Sequence, residues 1–230
     1  MSQIPVTETT TSGSAALRID LYADIACPWC YIGERRLARA LAARPDVRVE
    51  RHWRPFQLQP DLPPGGIPWS DLVEQKFGGA ASAAAMFDRV AAAGAPDGIA
   101  FNFDRVTRAP NTADAHRLVL FAAEQGQTWT MVETLFAAYF TDGRDVSDRE
   151  ELIALAAAAG LDAAAARDYL ASDANVAAVQ ASQRTAYRHG VQGVPFFVFA
   201  ERYALSGAQP LDIFERALDL ASSEGEENAG

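Results

Sequence analysis

The sequence predicts an α/β fold: a βαβ unit near the start and a ββα unit near the end, separated by a large all-helical insertion. Three observations predict it. Apolar residues alternate at Leu17, Ile19 and Leu21, and a helix-like stretch from Trp29 to Arg44 follows. Strand patterning returns at the far end, in Phe196-Phe197-Val198-Phe199. Between the two ends the apolar residues recur mainly at helical spacing.

The elements are read in order. Residues 1–15 are polar and rich in Thr and Ser, so a disordered arm is expected there. The first strand is expected at Leu17–Asp24 and the second at Val47–Phe56, with the helix between them making a right-handed crossover. Pro60 to Pro68 is a Pro/Gly loop. Beyond it, Val132, Leu135, Phe136, Tyr139 and Phe140 share one helix face. Asn111-Thr112 supplies an N-cap, Ser147 to Glu150 forms a capping box, and Val176 and Val179 open a helix ending near Gly190. A hairpin is expected from Pro195–Ala200 to Tyr203–Ser206, pairing with the first two strands. Pro210 then starts a last helix reaching about Ala221. This order is thioredoxin-like. It implies a discontinuous thioredoxin-like domain (16–60 and 190–221), a helical insertion (61–189) and a solvated acidic tail (222–230).

The chain has 230 residues, 49% of them hydrophobic, enough for a substantial core. Its formal net charge of −10 argues against nucleic acid or an anionic membrane as the main partner. Lys76 is the only lysine among its basic residues. No stretch approaches the roughly 18 apolar residues of a membrane span. Met1 to Ser14 offers neither the basic residues nor the apolar stretch of a signal peptide, so a cytoplasmic protein is expected. No feature sets an oligomeric state.

The two cysteines form one motif, Cys27-Pro28-Trp29-Cys30. In a reducing compartment a lone pair at this spacing is catalytic or metal-binding rather than a structural staple. Zinc needs four ligands, and one Cys pair with three scattered histidines (His52, His116, His189) does not supply them, so no metal is expected. Two buried structural cysteines remain the plainer alternative. Thiol–disulfide exchange needs a thiolate. Pro28 suits the first helical position and makes Cys27 the N-cap, where unpaired N–H groups and the helix dipole favour a negative sulfur. Cys27 is therefore the predicted nucleophile. Cys30, one turn deeper, would resolve the mixed disulfide. Uncharged Trp29 predicts a milder oxidant than a histidine would give there. It is expected to be partly exposed as an apolar contact surface, whereas Trp53, Phe56, Phe196 and Phe197 are expected in the core.

Asp24 to Gly33, with its Cys-Pro-Trp-Cys, resembles the active-site segment of the DsbA-like thioredoxin-fold family, FrnE branch. Trp53-Arg54-Pro55-Phe56-Gln57-Leu58 is similar to its second strand. Asn111-Thr112 with Ala115-His116-Arg117-Leu118 is similar to its insertion, Gly190 to Phe197 to a loop and strand, and Ser206-Gly207-Ala208-Gln209 to its closing turn. The resemblance implies disulfide oxidoreductase or isomerase activity with Cys27 and Cys30 as catalytic residues. It also implies a cis-proline at Pro195 facing them, with the Val194 backbone open to an extended substrate. Some members carry further cysteines near the C-terminus, and this chain has none after Cys30.

The leading expectation is a thiol–disulfide oxidoreductase without metal or organic cofactor, acting on protein disulfides or small thiols. Pro28, Trp29, Val194 and Pro195 would bind substrate, and glutathione could serve as co-substrate. Arg35 or Arg36 could attract glutathione carboxylates. The second reading is a glutathione-dependent isomerase or transferase acting on a small aromatic or polyketide-like compound. Such relatives usually carry serine where this chain has Cys27. A third is a redox-inactive binding module. Of the histidines, His116 alone gains from the resemblance; His52 and His189 read as surface or helix-end residues.

Overall fold

The computed structural model describes residues 16–227, so the expected arm at 1–15 lies outside the described residues, as do the last three of the chain. Four strands form the main sheet: β1 (Leu17–Ala23), β2 (Val49–Pro55), β5 (Phe196–Phe199) and β6 (Tyr203–Ser206), in the order β2-β1-β5-β6. β1 runs parallel to β2, from Leu17 opposite Val49 to Ala23 opposite Pro55. It pairs antiparallel with β5, where Leu21 faces Phe197 and Tyr22 faces Phe196. The hairpin therefore joins the sheet through β5 on β1 alone, and β6 is an edge strand rather than a partner of the first two.

Alternation sends successive β1 residues to opposite faces. Ile19 and Leu21 belong to the main core, with Leu37 of α1 (Pro28–Ala42) and with Phe214 and Leu218 of α9 (Leu211–Glu227). Tyr22 joins a smaller cluster with Phe56, Ala186 and Val191, against which Phe196 and Val198 pack. Ala186 lies on α8 (Val176–Arg188), so the last helix of the 61–189 segment covers the second face of the sheet. Trp53, Phe56 and Phe197 are buried as expected, and Phe196 is half-buried.

The middle of the chain carries α2 (Trp69–Phe77), α3 (Ala80–Gly94), α4 (Ala113–Ala123), α5 (Thr128–Phe140), α6 (Arg149–Ala158) and α7 (Ala163–Ala171). It is not all-helical: β3 (Ile67–Pro68) pairs antiparallel with β4 (Arg108–Ala109). The Pro/Gly loop feeding β3 cannot continue as helix. Its extended exit is tied down by the Trp69 amide on the Thr107 carbonyl at 2.9 Å and by the Tyr139 hydroxyl on the Arg108 carbonyl at 3.1 Å. The predicted face of α5 is buried, and Phe136 stacks on Tyr31 of α1 with ring centres 4.9 Å apart. Insertion and sheet thus share one core.

Two helix ends differ from the sequence reading. Asp148, not Ser147, caps α6, because its carboxylate accepts from the amides of both Glu150 and Glu151. Ser147 instead donates to Asp145. α9 runs on to Glu227 rather than giving way to a tail after residue 221. The α4 expectation is met in a shared form: Thr112 occupies the cap position while the Asn111 side chain accepts from the Ala113 amide at 3.0 Å.

Candidate active site

The site is built at the junction of β1 and α1. The Asp24 carbonyl accepts from the Cys27 amide at 3.1 Å, and its carboxylate receives the amides of Ala26 at 3.3 Å and Leu58 at 2.7 Å. That turn delivers Cys27 to the N-cap of α1 in an extended conformation, φ −102° and ψ 110°, with Pro28 in the first turn and no acidic residue there. Cys27 makes no side-chain cap. Its sulfur lies 3.6 Å from the Val194 carbonyl oxygen instead.

Both thiols are free, and both are buried. Cys27 keeps 4% of its surface exposed and Cys30 none, which is the order expected of an attacking and a resolving thiol. Burial, reinforced by the neighbouring Cys27 thiol, pushes the Cys30 thiol well above the ordinary range. The Val194–Pro195 peptide bond is cis. The Pro195 carbonyl accepts from the Gly207 amide at 2.8 Å, which anchors the loop to the closing turn. Gly33 lets α1 approach this loop closely: a Cβ there would lie 3.0 Å from the Phe197 ring and 3.1 Å from Pro195.

Cys27, Pro28, Trp29 and Val194 line one pocket of about 280 Å³, whereas Cys30 and Pro195 are buried and do not line it. Trp29 is 39% exposed at its mouth. Among the described residues no group of three or more His, Cys, Asp or Glu is placed to hold a metal.

Other candidates resolve differently. Arg35 pairs with Glu133 and Tyr31, and Arg36 binds Asp97 and the carbonyls of Ala93, Ala208 and Gln209. Both are already committed, and neither lines the pocket; the carboxylate-binding expectation is corrected. His52 sits 3.2 Å from Glu50, and His189 ends α8. His116 is fully buried and receives the Trp53 indole N–H at Nδ1, 3.1 Å away. Its Nε2 lies 3.3 Å from Asp24 Oδ1. The role of Asp24 was missed in the sequence. Its one signal is an acid inside an apolar run, directly before the cysteines.

A free thiol pair opening a helix, set against an X–cis-Pro loop at the start of a β-β-α half, defines a thioredoxin-fold dithiol protein. The chain belongs to the DSBA-like thioredoxin domain family, whose model matches residues 18–219. This is a family of thiol–disulfide oxidoreductases. A probable DsbA oxidoreductase of Streptomyces coelicolor is 37% identical, with a TM-score of 0.82 over 90% of this chain and 91% of that one. The uncharacterized protein YwbO of Bacillus subtilis (strain 168) is 28% identical over 207 residues, 88% of this chain and 96% of its own length. The cytosolic disulfide reductase DsbM of Pseudomonas aeruginosa, in a structure with glutathione, shares the fold at 24% identity and a TM-score of 0.61, over 88% of this chain and 98% of that one. No described helix is long and apolar enough to cross a membrane.

Proposed function

We propose that the protein is a cytoplasmic dithiol–disulfide oxidoreductase of the FrnE branch, with Cys27 as nucleophile and Cys30 as resolving thiol. The observation that carries this is the placement of Cys27 at the N-terminus of α1, 3.6 Å from the Val194 carbonyl, with Cys30 one turn deeper and fully buried. The Cys27 thiolate attacks one sulfur of a substrate disulfide. A Cys27–substrate disulfide forms and the other substrate sulfur leaves as a thiol. Cys30 then loses its proton and attacks Cys27. The Cys27–Cys30 disulfide forms and the second substrate thiol is released, so two electrons have passed to substrate. Burial of Cys30 keeps it protonated until the mixed disulfide is in place. No metal or organic cofactor enters the cycle. A monothiol such as glutathione is the proposed co-substrate that reduces the pair again, and the same chemistry run backwards oxidises substrate dithiols.

The cytoplasmic setting draws support from the fold shared with a cytosolic disulfide reductase. The glutathione-dependent isomerase or transferase reading has less support, because both thiols are present and Arg35 and Arg36 are engaged elsewhere.

Substituting each thiol tests the assignment. Cys27→Ser is expected to abolish disulfide reduction. Cys30→Ser should still react once and accumulate mixed disulfides at Cys27, visible by mass spectrometry and released by dithiothreitol. Trapping on Cys30 in the Cys27→Ser protein would reverse the assignment.

A further inference from the structure

The pocket beside Cys27 has a composition that redox chemistry alone does not require. Its walls come from the first turn of α1, the loop at Leu58–Leu62, α2, α3 and α5. Its aromatic lining includes Trp69, Phe77, Phe87, Phe103 and Phe140. These rings brace one another: Phe87 stacks on Phe103 with centres 4.6 Å apart and on Trp69 at 5.7 Å, and meets Phe77 edge-on at 5.9 Å. Such a wall is rigid and offers ring faces and edges to a flat apolar group. The volume of about 280 Å³ is near the lower end for ligand pockets, which run from about 300 to 1,000 Å³.

One lining residue is charged. Lys76, the chain's only lysine, sits in the last turn of α2 and has no ion-pair partner among the described residues. Lys76, Trp29 and Leu58 are the exposed members of the lining and form its mouth. On a chain of net charge −10, the cavity that reaches the candidate nucleophile thus presents an apolar interior and a single cation at the rim. That arrangement complements an amphipathic anion with its ring inside and its negative group at the mouth.

We infer that this pocket makes the enzyme selective for small aromatic disulfides that carry a negative group, in preference to glutathione disulfide or polypeptide disulfides. The inference rests on the dithiol reading above. In the reaction, the Cys27 sulfur bonds to the substrate sulfur attached to the ring held in the pocket, and the other aromatic half leaves as its thiol. Cys30 then displaces the bound half as a second thiol, leaving the Cys27–Cys30 disulfide. The pre-reduced protein supplies both electrons, so no further reductant is needed for one turnover.

The test is single-turnover oxidation of the full, pre-reduced chain, followed against disulfide concentration. The probes are the bis(carboxynitrophenyl) disulfide, neutral dipyridyl disulfide, oxidised glutathione and insulin. Saturable rates are expected with the two aromatic disulfides, with lowest half-saturation for the carboxylated one. Lys76→Gln is expected to raise half-saturation for the carboxylated disulfide about fivefold relative to the dipyridyl one, the scale of an exposed ion pair. Met86→Trp, at a half-buried lining position, is expected to raise half-saturation for both aromatic disulfides more than for oxidised glutathione. Non-saturable rates with both aromatic disulfides overturn the inference. So do an equal effect of Lys76→Gln on the charged and neutral probes and a lower half-saturation with insulin. All three leave the dithiol reading intact. If no probe converts the two thiols to a disulfide, the dithiol reading itself fails.

Discussion

His116 Nε2 lies 3.3 Å from Asp24 Oδ1, a contact between two side chains that are both withdrawn from solvent. Asp24 belongs to the turn that presents Cys27, and His116 to α4 of the insertion. The Trp53 indole donates to Nδ1, so Nε2 carries the ring proton; it lies close to the carboxylate but makes no hydrogen bond of normal geometry to it. His116→Leu would leave the Trp53 N–H without its partner and remove the imidazole beside Asp24, whose carboxylate keeps the amides of Ala26 and Leu58. The expected cost is about 2 kcal/mol of unfolding free energy, read as a lowered urea midpoint. His116→Gln keeps a polar side chain and should lose less. Equal stability of His116→Leu and the parent chain would rule out the contact as a support for the turn.

The buried Cys30 thiol gives the reduced protein a distinctive alkaline behaviour. In the unfolded chain a cysteine titrates near about pH 8.5, while burial holds the folded Cys30 well above its ordinary value. Between the two, the folded chain keeps a proton that the unfolded chain has lost. The associated stability is fully present below the unfolded value and is lost as pH rises through the gap, at up to about 1.4 kcal/mol per pH unit. The disulfide form has no such proton. Denaturant titrations of both forms between roughly pH 7 and pH 10 should therefore show the steeper alkaline loss in the reduced one, and Cys30→Ala should remove the Cys30 share. Parallel curves for the two forms would contradict this.

Arg36 holds three segments at once, through Asp97 at 2.7 Å, Ala208 at 2.8 Å, Gln209 at 3.1 Å and Ala93 at 3.0 Å. A lysine has one compact charge and cannot reproduce that fork. Arg36→Lys is expected to cost about 1 kcal/mol in thermal or urea unfolding, since half-buried carbonyls and the buried Asp97 lose donors. Half-saturation by oxidised glutathione should stay as in the parent. A selective rise there, with stability intact, would restore Arg36 as a carboxylate binder.

The sequence carried the local part of this architecture, and the family resemblance brought Val194–Pro195 to face the cysteines; what it lost is the packing of the insertion. Leu17, Ile19 and Leu21 alternate because one face of β1 meets α1 and α9, and the α5 face shows because it is buried along its length. The site motif is equally local, four residues at one helix start. The β3–β4 pair was invisible because two strands of two residues carry no periodicity. The position of α8 on the second sheet face was invisible as well, since periodicity shows that a helix buries one side but not against what. The Lys76-rimmed pocket depends on folding α2 and α3 over Cys27, which no spacing along the chain encodes.

Trp29 is the position where one substitution should retune the redox pair. It follows Pro28 in the first turn of α1, is 39% exposed, and brings no charge to a helix end that has no acidic side chain. A histidine there could place positive charge beside the Cys27 thiolate and stabilise the reduced form, which makes the pair more oxidising. Trp29→His is therefore expected to raise the reduction potential, by about 20 mV for each 1 kcal/mol of added stabilisation. Because a histidine is cationic only near and below about pH 6.5, the rise should be larger at acidic than at alkaline pH. Trp29→Phe separates this from loss of the indole, since it removes the indole N–H without adding charge. Equilibration against glutathione buffers measures all three proteins. A potential for Trp29→His at or below that of Trp29→Phe would refute the electrostatic account of the middle residue.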